Sequence, residues 1–448
     1  ELWKLGILSK TQHNEVAPAQ HEMAPIYSTA NIATDHNQLV METMKKVARR
    51  HNFECLLHEK PFAGVNGSGK HDNWSLVTNT GKNLLSPGKT PYDNKQFLLF
   101  LSAVIAAVDD NAALLRMSAS NPGNDHRLGA NEAPPAIISI FLGEQLEDIV
   151  EQILQNGTAT HSNKGERMDI GVHTIPPIKK DATDRNRTSP FAFTGNKFEF
   201  RMVASSMSIA GANTVLNATV ADVLQSMADR MEKADDLDKT VDEIIYETLK
   251  EHQKVIFNGN GYSDEWIAEA EKRGLPNVKT MVDATASLLY PKTIEMFERQ
   301  HVYTKTELES RAEINYEAYA KAINIEAKTM IHMASKEYIP AIISYVTSLG
   351  DSINSISAAC AEADLSVQKD LLTTCSSLLA KAQTALYALK DADKKANAME
   401  EGKEQAEFFR DTVFTAMADL RAPIDELEMI VDKEYWPVPS YGDMLFEV

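Results

Sequence analysis

A glycine-rich segment, Lys60 to Ser75, carries the residue types best suited to chemistry in this 448-residue sequence. Its glycines permit positive φ and let backbone N–H groups approach a ligand closely. The pattern Gly-x-x-x-x-Gly-Lys, ending at Lys70, fits the first seven positions of a nucleotide phosphate loop, but His71 stands where that loop needs a Ser or Thr hydroxyl for Mg²⁺. A strand expected over 72–77 also replaces the helix that a phosphate loop opens. The segment therefore predicts a strand, a glycine turn and a strand carrying His71, rather than a P-loop.

Four segments, in order along the chain, resemble signature motifs of the glutamine synthetase family. They are Asn14 to Glu22, Lys60 to Ser75, Arg127 to Pro134 and Asn196 to Arg201. The Arg-Leu-Gly-Ala-Asn-Glu-Ala-Pro-Pro sequence, the long helical tail and the ending at 436–443 resemble the large, type III branch. The resemblance spans essentially the whole chain. It implies ATP-dependent ligation of ammonia to L-glutamate, giving L-glutamine through a γ-glutamyl phosphate intermediate.

The resemblance assigns four residues to two divalent-metal sites. Glu15 and Glu22 match ligands of the metal nearer to glutamate, although two glutamates in a polar stretch are by themselves more often solvated surface. His71 and Glu199 match ligands of the second metal, which neutralises the phosphates of ATP, although a lone histidine near glycines more often only hydrogen-bonds in a loop. Carboxylates with one imidazole suit Mg²⁺ or Mn²⁺, and the family binds two or more ions per site.

The resemblance also assigns the contacts with glutamate. Asn66 and Gly67 match the loop that contacts its α-amino group and carboxylate, while Arg127 and Arg201 match arginines that bind its carboxylates with parallel hydrogen bonds. Glu132 matches a flap glutamate that closes the site, accepts a proton from ammonium and keeps water from the acyl phosphate. A simpler interpretation of Glu132 is a cap before two prolines.

ATP contacts follow from the same resemblance. Arg187 matches a catalytic arginine that contacts the phosphates and stabilises the charge in transfer. Arg185 is an alternative in that role, because the alignment there rests on a short match. Three further residues occupy positions that border ATP in relatives: Asn73, Ser75 and Lys197. Ala192 stands where the family commonly carries another phosphate-contacting arginine.

One strand should present several of these residues together. Over 196–203 the sequence alternates, with Phe198 and Phe200 on one face and Lys197, Glu199 and Arg201 on the other. Three charges in a row would normally face solvent, and a polar cavity is the other possibility. The family resemblance favours the cavity.

Hydrophobic periodicity predicts the remaining elements. In chain order we expect helix 34–51, strands 55–58 and 74–78, helix 93–118, strand 136–142, a loop-rich stretch over 157–195 around a strand at 168–175, and a late helix over 404–420. Beyond Ser206 the chain should be nearly all helical. A capping box at Thr304-x-x-Glu307 should open one helix, Pro340 should kink or break it, and a leucine seam over 371–389 should pack internally.

The fold that the resemblance implies is α+β. A glutamine synthetase catalytic domain with a barrel-like antiparallel sheet and surrounding helices is expected over 1–300, and a helical C-terminal region over 301–448. Two stacked rings of six subunits, a dodecamer, are the expected assembly. The family carries a small β-grasp-like domain and a metal-binding Glu-x-Glu strand ahead of this region, and neither has a counterpart here. We therefore expect residues 1–448 by themselves to make no glutamine.

Composition narrows the classes of partner and location. The net charge is 45 − 64 = −19, which argues against nucleic acid or an anionic membrane as main partner but leaves ATP possible, since local arginines can form a positive site. Cys55, Cys360 and Cys375 are odd in number and lack metal-ligand spacing, which indicates free thiols in a reducing cytosol. No apolar run reaches membrane-spanning length. A cytoplasmic protein is expected.

Two other functions stay open at this stage. A γ-glutamyl-polyamine ligase would keep the fold but need a wider, differently charged acceptor pocket near Glu132. A non-catalytic structural relative would keep the fold and the assembly only. Retention of the metal-site acids, His71 and both substrate arginines argues against the second alternative.

Overall fold

The computed structural model describes residues 1–162, 167–168, 178–179, 186–439 and 443. The chain forms two compact units, Glu1–Arg311 and Ala312–Val448. Every residue assigned above to metal, glutamate or ATP lies in the first unit. The alternative arginine, Arg185, and most of the strand expected over 168–175 lie outside the described residues.

Strands in the described part of the chain form three sheets. Their bounds are β1 Ser9–Asn14, β2 His21–Pro25, β3 Gly69–Trp74, β4 Ile140–Phe141, β5 Arg167–Met168, β6 Ile178–Lys179, β7 Phe191–Phe193 and β8 Phe198–Ala204. β1 pairs with β2, β5 pairs with β6, and the other four form one sheet in the order β3–β8–β7–β4. The expected antiparallel pairing occurs between β3 and β8 and between β7 and β8, while β4 and β7 run parallel.

The first unit contains helices as well as this sheet, which confirms the α+β class. They are α1 Ala30–Arg50, α2 Lys95–Asp110, α3 Ala112–Ser118, α4 Pro122–Arg127, α5 Glu144–Asn156, α6 Ala210–Met231, α7 Leu237–His252, α8 Asp264–Lys272, α9 Met281–Thr285 and α10 Pro291–Arg299. Buried rings of Phe191 and Phe198 stack in β7 and β8 with centroids 4.8 Å apart. Asn94 caps α2 by accepting a hydrogen bond from the backbone N–H of Phe97.

Beyond α10 the described residues are mostly helical, as predicted. The helices are α11 Lys305–Met333, α12 Ile339–Ala359, α13 Ser366–Ala396, α14 Lys403–Phe408 and α15 Phe414–Glu428. The capping box before α11 is confirmed, because the Thr304 N–H donates to Glu307 Oε2 at 2.8 Å and the Glu307 N–H donates to Thr304 Oγ1 at 3.4 Å. Pro340 lies in the first turn of α12, after a π-helical turn, Ala334–Tyr338, that ends α11. On α13 the seam residues Cys375, Leu378, Ala382, Leu386 and Leu389 are buried.

Three local predictions were wrong. Residues 55–58 join no sheet, and the strand expected over 74–78 instead covers Gly69–Trp74, leaving Val77 in an isolated bridge with Asn83. The helix expected over 93–118 is two helices, α2 and α3, bent by 81°. The bend falls at Asn111, whose side-chain amide donates to the Ala107 carbonyl and so closes α2. Apolar periodicity alone cannot detect such a side-chain bond to the backbone.

Two other expectations can be compared with the structure. In the described ranges no single helix is long and apolar enough to cross a membrane, and one bent pair, α2 with α3, meets that criterion by length and composition only. Cys55, Cys360 and Cys375 are all free thiols, as predicted.

Gly67 is a position where a side chain cannot fit. A Cβ there would lie 2.3 Å from the Glu59 carbonyl oxygen, a backbone atom that already accepts a hydrogen bond from the Ser68 N–H. Gly67→Ala should therefore lower the free energy of unfolding by about 1–3 kcal/mol, as overpacking does, measured by urea denaturation. The control is Gly211→Ala in α6, where the nearest atom is 3.4 Å away. An unchanged urea midpoint for Gly67→Ala would contradict the close approach.

Candidate active site

The β1–β2 hairpin brings Glu15 and Glu22 to one histidine. His13 faces Glu22 across the ladder, and Glu15 follows two residues later on the same face because side chains alternate along a strand. His13 Nε2 lies 2.7 Å from Glu15 Oε1 and 3.2 Å from Glu22 Oε2. The candidate ligand atoms of all three lie within 4.8 Å of one another. Sequence analysis missed His13, although its two-residue spacing from Glu15 was an available signal.

The electrostatics of this cluster fit a divalent cation. The pKa of Glu15 lies below its usual value, mainly through a hydrogen bond with Glu22 and further through His13 and the positive charge of Arg187, while partial burial opposes these effects. Two carboxylates this close repel each other when both are ionised, unless a proton or a cation lies between them. Oxygen donors with one imidazole are the chemistry that Mg²⁺ and Mn²⁺ accept. The residues present therefore fit such a metal.

The second predicted metal pair forms where β3 and β8 meet. Asn73 faces Glu199 in the ladder, and an irregularity between Lys70 and Asp72 occurs at His71. His71 Nδ1 lies 3.9 Å from Glu199 Oε2. The structure therefore brings these two residues together.

Glu199 is surrounded by positive charge. Arg201 Nε and Nη2 donate to Glu199 Oε2 at 3.2 and 3.1 Å, and Lys197 Nζ lies 3.4 Å from Oε1. Burial alone would raise the pKa of Glu199, but Arg201, Lys197 and His71 outweigh it and lower the pKa. The lowered pKa favours the charged carboxylate, which is the form that binds a cation.

Residues 65–68, which we call the glycine loop, immediately precede β3 and are hydrogen-bonded to the β1–β2 hairpin. Gln20 Nε2 donates to the Gly67 carbonyl at 3.0 Å and to Ser68 Oγ at 3.1 Å. Asn66 Nδ2 donates to Glu132 Oε2 at 3.1 Å. The predicted metal hairpin, the predicted glutamate loop and Glu132 thus form one connected group.

Residues 129–134, which we call the flap, carry Glu132 over the glycine loop. Glu132 Oε1 accepts a hydrogen bond from Arg187 Nη1 at 2.6 Å. Asn131 and Glu132 have φ of 52° and 65°, a left-handed conformation that costs a non-glycine residue roughly 1–2 kcal/mol. Tyr262, which sequence analysis missed, lies beside the Glu132 backbone, and burial and then the Glu132 charge raise the pKa of its phenol.

Arg127 and Arg201 form a buried wall of the site. Arg127 donates to Asn124 Oδ1 at 3.0 Å and to the Arg201 carbonyl at 3.2 Å, and burial lowers its pKa to about 10, against the opposing charge of Glu59. Arg201 donates to Glu199 and to the Asn186 carbonyl. Both arginines are placed near the glycine loop and Glu199, and their contacts with glutamate stay predictions.

The residues predicted to border ATP gather at the same end of β3 and β8. Asn73 is opposite Glu199, and Lys197 precedes it by two residues. Ser75 Oγ donates to the Asn196 carbonyl at 2.8 Å. Ala192 is fully buried in β7 and also pairs with Glu199. The positive charge beside Glu199 therefore comes from Arg201 in β8 and from Lys197 just before that strand, and not from position 192.

A second histidine–carboxylate cluster lies elsewhere in the first unit. His252 Nδ1 is 2.8 Å from Asp109 Oδ2, and Asp110 is its neighbour. Lys254 Nζ lies 3.4 Å from the same Asp109 oxygen. Asp109 is therefore already paired with His252 and Lys254, and the cluster is explained as a network of hydrogen bonds and ion pairs.

Comparisons with known proteins identify the family of this chain. The family model for the glutamine synthetase catalytic domain matches residues 1–137, and that for the glutamine synthetase C-terminal domain matches residues 240–357. Glutamine synthetase from Butyrivibrio fibrisolvens is 47% identical over 100% of this chain. The chain belongs to the glutamine synthetase family. A type-3 glutamine synthetase from Dictyostelium discoideum, 44% identical over 100% of this chain, confirms the type III resemblance.

The chain spans a little under two thirds of the length of these glutamine synthetases. It covers 64% of the Butyrivibrio protein, 62% of the Dictyostelium protein and 63% of a Bacteroides fragilis glutamine synthetase that is 42% identical over 100% of this chain. A solved structure described as "Apo GmaS without ligand" aligns with a TM-score of 0.45 and 16% identity, over 72% of this chain and 57% of that one.

The hairpin cluster makes a testable prediction about metal affinity. His13→Ala should weaken Mn²⁺ binding by about tenfold or more, because it removes the imidazole that contacts both carboxylates. The measurement is titration of free Mn²⁺ by electron paramagnetic resonance on the full-length protein. His21→Ala is the matched control, since His21 lies in the same hairpin opposite Asn14 and outside the cluster. Equal affinities for the two variants would exclude His13 from the site.

Proposed function

We propose that the protein forms L-glutamine from L-glutamate, ammonia and ATP through γ-glutamyl phosphate. A carboxylate resists attack by ammonia because an oxide is a poor leaving group. Transfer of the γ-phosphoryl group of ATP to the side-chain carboxylate gives an acyl phosphate, which ammonia attacks at carbon with loss of phosphate. The observation that carries the proposal is the position of Glu132, whose two carboxylate oxygens bind Asn66 of the glycine loop and Arg187.

Binding of glutamate is proposed at the glycine loop and the arginine wall. Asn66 and the backbone around Gly67 would contact its amino group and α-carboxylate. The buried guanidinium groups of Arg127 and Arg201 would attract the carboxylates of glutamate. The side-chain carboxylate of glutamate would then lie toward Glu199, where phosphoryl transfer needs positive charge.

The phosphoryl group is proposed to transfer between the two acid clusters. Mg²⁺ or Mn²⁺, held by His13, Glu15 and Glu22 and by His71 and Glu199, would supply positive charge against the phosphates. Arg187 would stabilise the group in transfer, and Lys197, Asn73 and Ser75 would orient ATP beside it. The positive charge proposed near ATP is compatible with the net charge of −19, because it comes from a few residues gathered at the site.

Glu132 is proposed to prepare ammonia for attack. Ammonium is a cation and has no free electron pair, so it must lose a proton before it reacts. The Glu132 carboxylate would attract ammonium and accept that proton, while the flap excludes water from the acyl phosphate. Arg187 would then have to exchange Glu132 for the phosphates, which couples flap position to ATP binding.

Glu199→Ala should abolish phosphoryl transfer rather than only weaken glutamate binding. Loss of this carboxylate removes a metal ligand and leaves Arg201 and Lys197 without their anion, so turnover should fall by about a thousandfold or more. Glutamine and ADP formed by the full-length protein are the measurements. Glu151→Ala, an exposed residue of α5, is the control. Near-normal turnover of Glu199→Ala would remove the metal assignment.

Glu132→Ala should slow glutamine formation and make it inefficient. Loss of a general base typically costs about 100-fold or more in rate, and an opened flap admits water to the acyl phosphate. Phosphate released per glutamine formed should therefore rise above one, measured by parallel assays of the two products. A variant that keeps a one-to-one ratio at wild-type rate would contradict the role of Glu132.

The acceptor, the assembly and the location remain predictions. Comparing ammonium with putrescine as acceptor separates the ammonia ligase from a polyamine ligase. The dodecamer of two stacked rings can be tested by native mass measurement, and the cytoplasmic location by fractionation.

A further inference from the structure

Lys60 begins the glycine-rich motif, yet nothing proposed above gives it a role. Its ammonium donates to the Val65 carbonyl of the glycine loop and to Asn131 Oδ1 of the flap, the latter at 3.0 Å. Among the described residues it forms no ion pair with a carboxylate. A lysine whose charge binds only two neutral oxygens, one from each of two functional segments, differs from an ordinary surface lysine.

The origin of the Lys60 side chain is fixed. The preceding residue, Glu59, is buried, and its carboxylate accepts hydrogen bonds from the N–H and hydroxyl of Ser206. The Glu59 carbonyl accepts the Ser68 N–H, which anchors the far end of the glycine loop. The side chain of Lys60 therefore extends from a rigid point across the loop toward the flap.

Each acceptor lies next to a residue of the proposed chemistry. Val65 precedes Asn66, and Asn131 precedes Glu132, so the lysine holds the Val65 carbonyl and the Asn131 side chain, each immediately before a member of the Asn66–Glu132 hydrogen bond. Asn131 and Glu132 are also the two non-glycine residues of the flap with positive φ. Such strain persists only where surrounding bonds impose it.

We propose that Lys60 is a positioning residue that joins the glycine loop to the flap, so that Glu132 is presented over the site only when the loop has its binding geometry. The proposal rests on the proposed ligase function for its consequence in catalysis. Its structural part, the loop-to-flap connection, is independent of the reaction. Lys60 itself contacts none of the reacting atoms in this assignment.

The first experiment measures flap order without any reaction. In full-length protein lacking substrates, Lys60→Met should accelerate hydrogen exchange of the flap amides 129–133 by about tenfold or more, the loss expected for one charge-assisted hydrogen bond. Lys60→Arg, which keeps a donor of similar reach, should recover most of the protection. Lys89→Met, at an exposed lysine outside this network, is the matched control and should leave flap exchange unchanged.

The second experiment measures coupling and catalysis. Asn131→Gly keeps the positive φ but removes the acceptor, so the double variant with Lys60→Met should be no worse than Lys60→Met alone. In the ligase assay both single variants should raise phosphate released per glutamine, with KM for ATP changed less than about twofold. A purely structural role would instead lower all parameters, and Lys60→Arg would not restore the ratio.

The outcomes separate the two proposals. Unchanged flap exchange in folded Lys60→Met, or additive losses in the double variant, would overturn the role of Lys60. If Lys60→Met does not fold, Asn131→Gly carries the same exchange prediction and the same power to refute. If Lys60→Met shows faster flap exchange but the wild-type protein makes no glutamine, the loop-to-flap connection is supported and the ligase function is rejected.

Discussion

Antiparallel pairing of β3 with β8 is the constraint on which the candidate site depends. One face of β8 is apolar and buried, with Phe198 and Phe200 packed in the core, and its other face carries Glu199. A shift of one residue would turn Glu199 into the core and a phenylalanine into the site, so burial of the rings fixes the register. That register places Glu199 opposite Asn73 and near His71.

Charge compensation is the second organising feature. Each acid of the site is already bound by a cationic or hydrogen-bonding side chain: Glu15 by His13, Glu132 by Arg187 and Glu199 by Arg201. Binding of metal and substrate would therefore replace the present partners of these acids. Without metal and substrate, no acid of the site would be left as an unpaired charge. Such paired groups keep their geometry before ligands arrive, which lowers the cost of reorganisation during a reaction.

Particular residues mark the limits of prediction from the sequence. The family resemblance predicted Glu15, Glu22, His71 and Glu199 as metal ligands from motifs whose spacing is local and specific. His13 escaped notice because its importance comes from the cross-strand partner that the hairpin register gives it. Tyr262 lies 130 residues from the flap glutamate in sequence, and no motif around it predicts its contact with Glu132.

The sequence by itself determined the family, the α+β class and the helical character beyond Ser206, and it predicted most of the candidate site residues, because these depend on local motifs and periodicity. Only the tertiary structure decided that α2 and α3 are separate helices, that residues 55–58 stay outside the sheet, and that Lys60 spans from loop to flap. The helix break and the Lys60 contacts depend on single side-chain bonds to backbone or distant atoms. Local sequence patterns do not identify such partners, because only folding brings them within hydrogen-bonding distance.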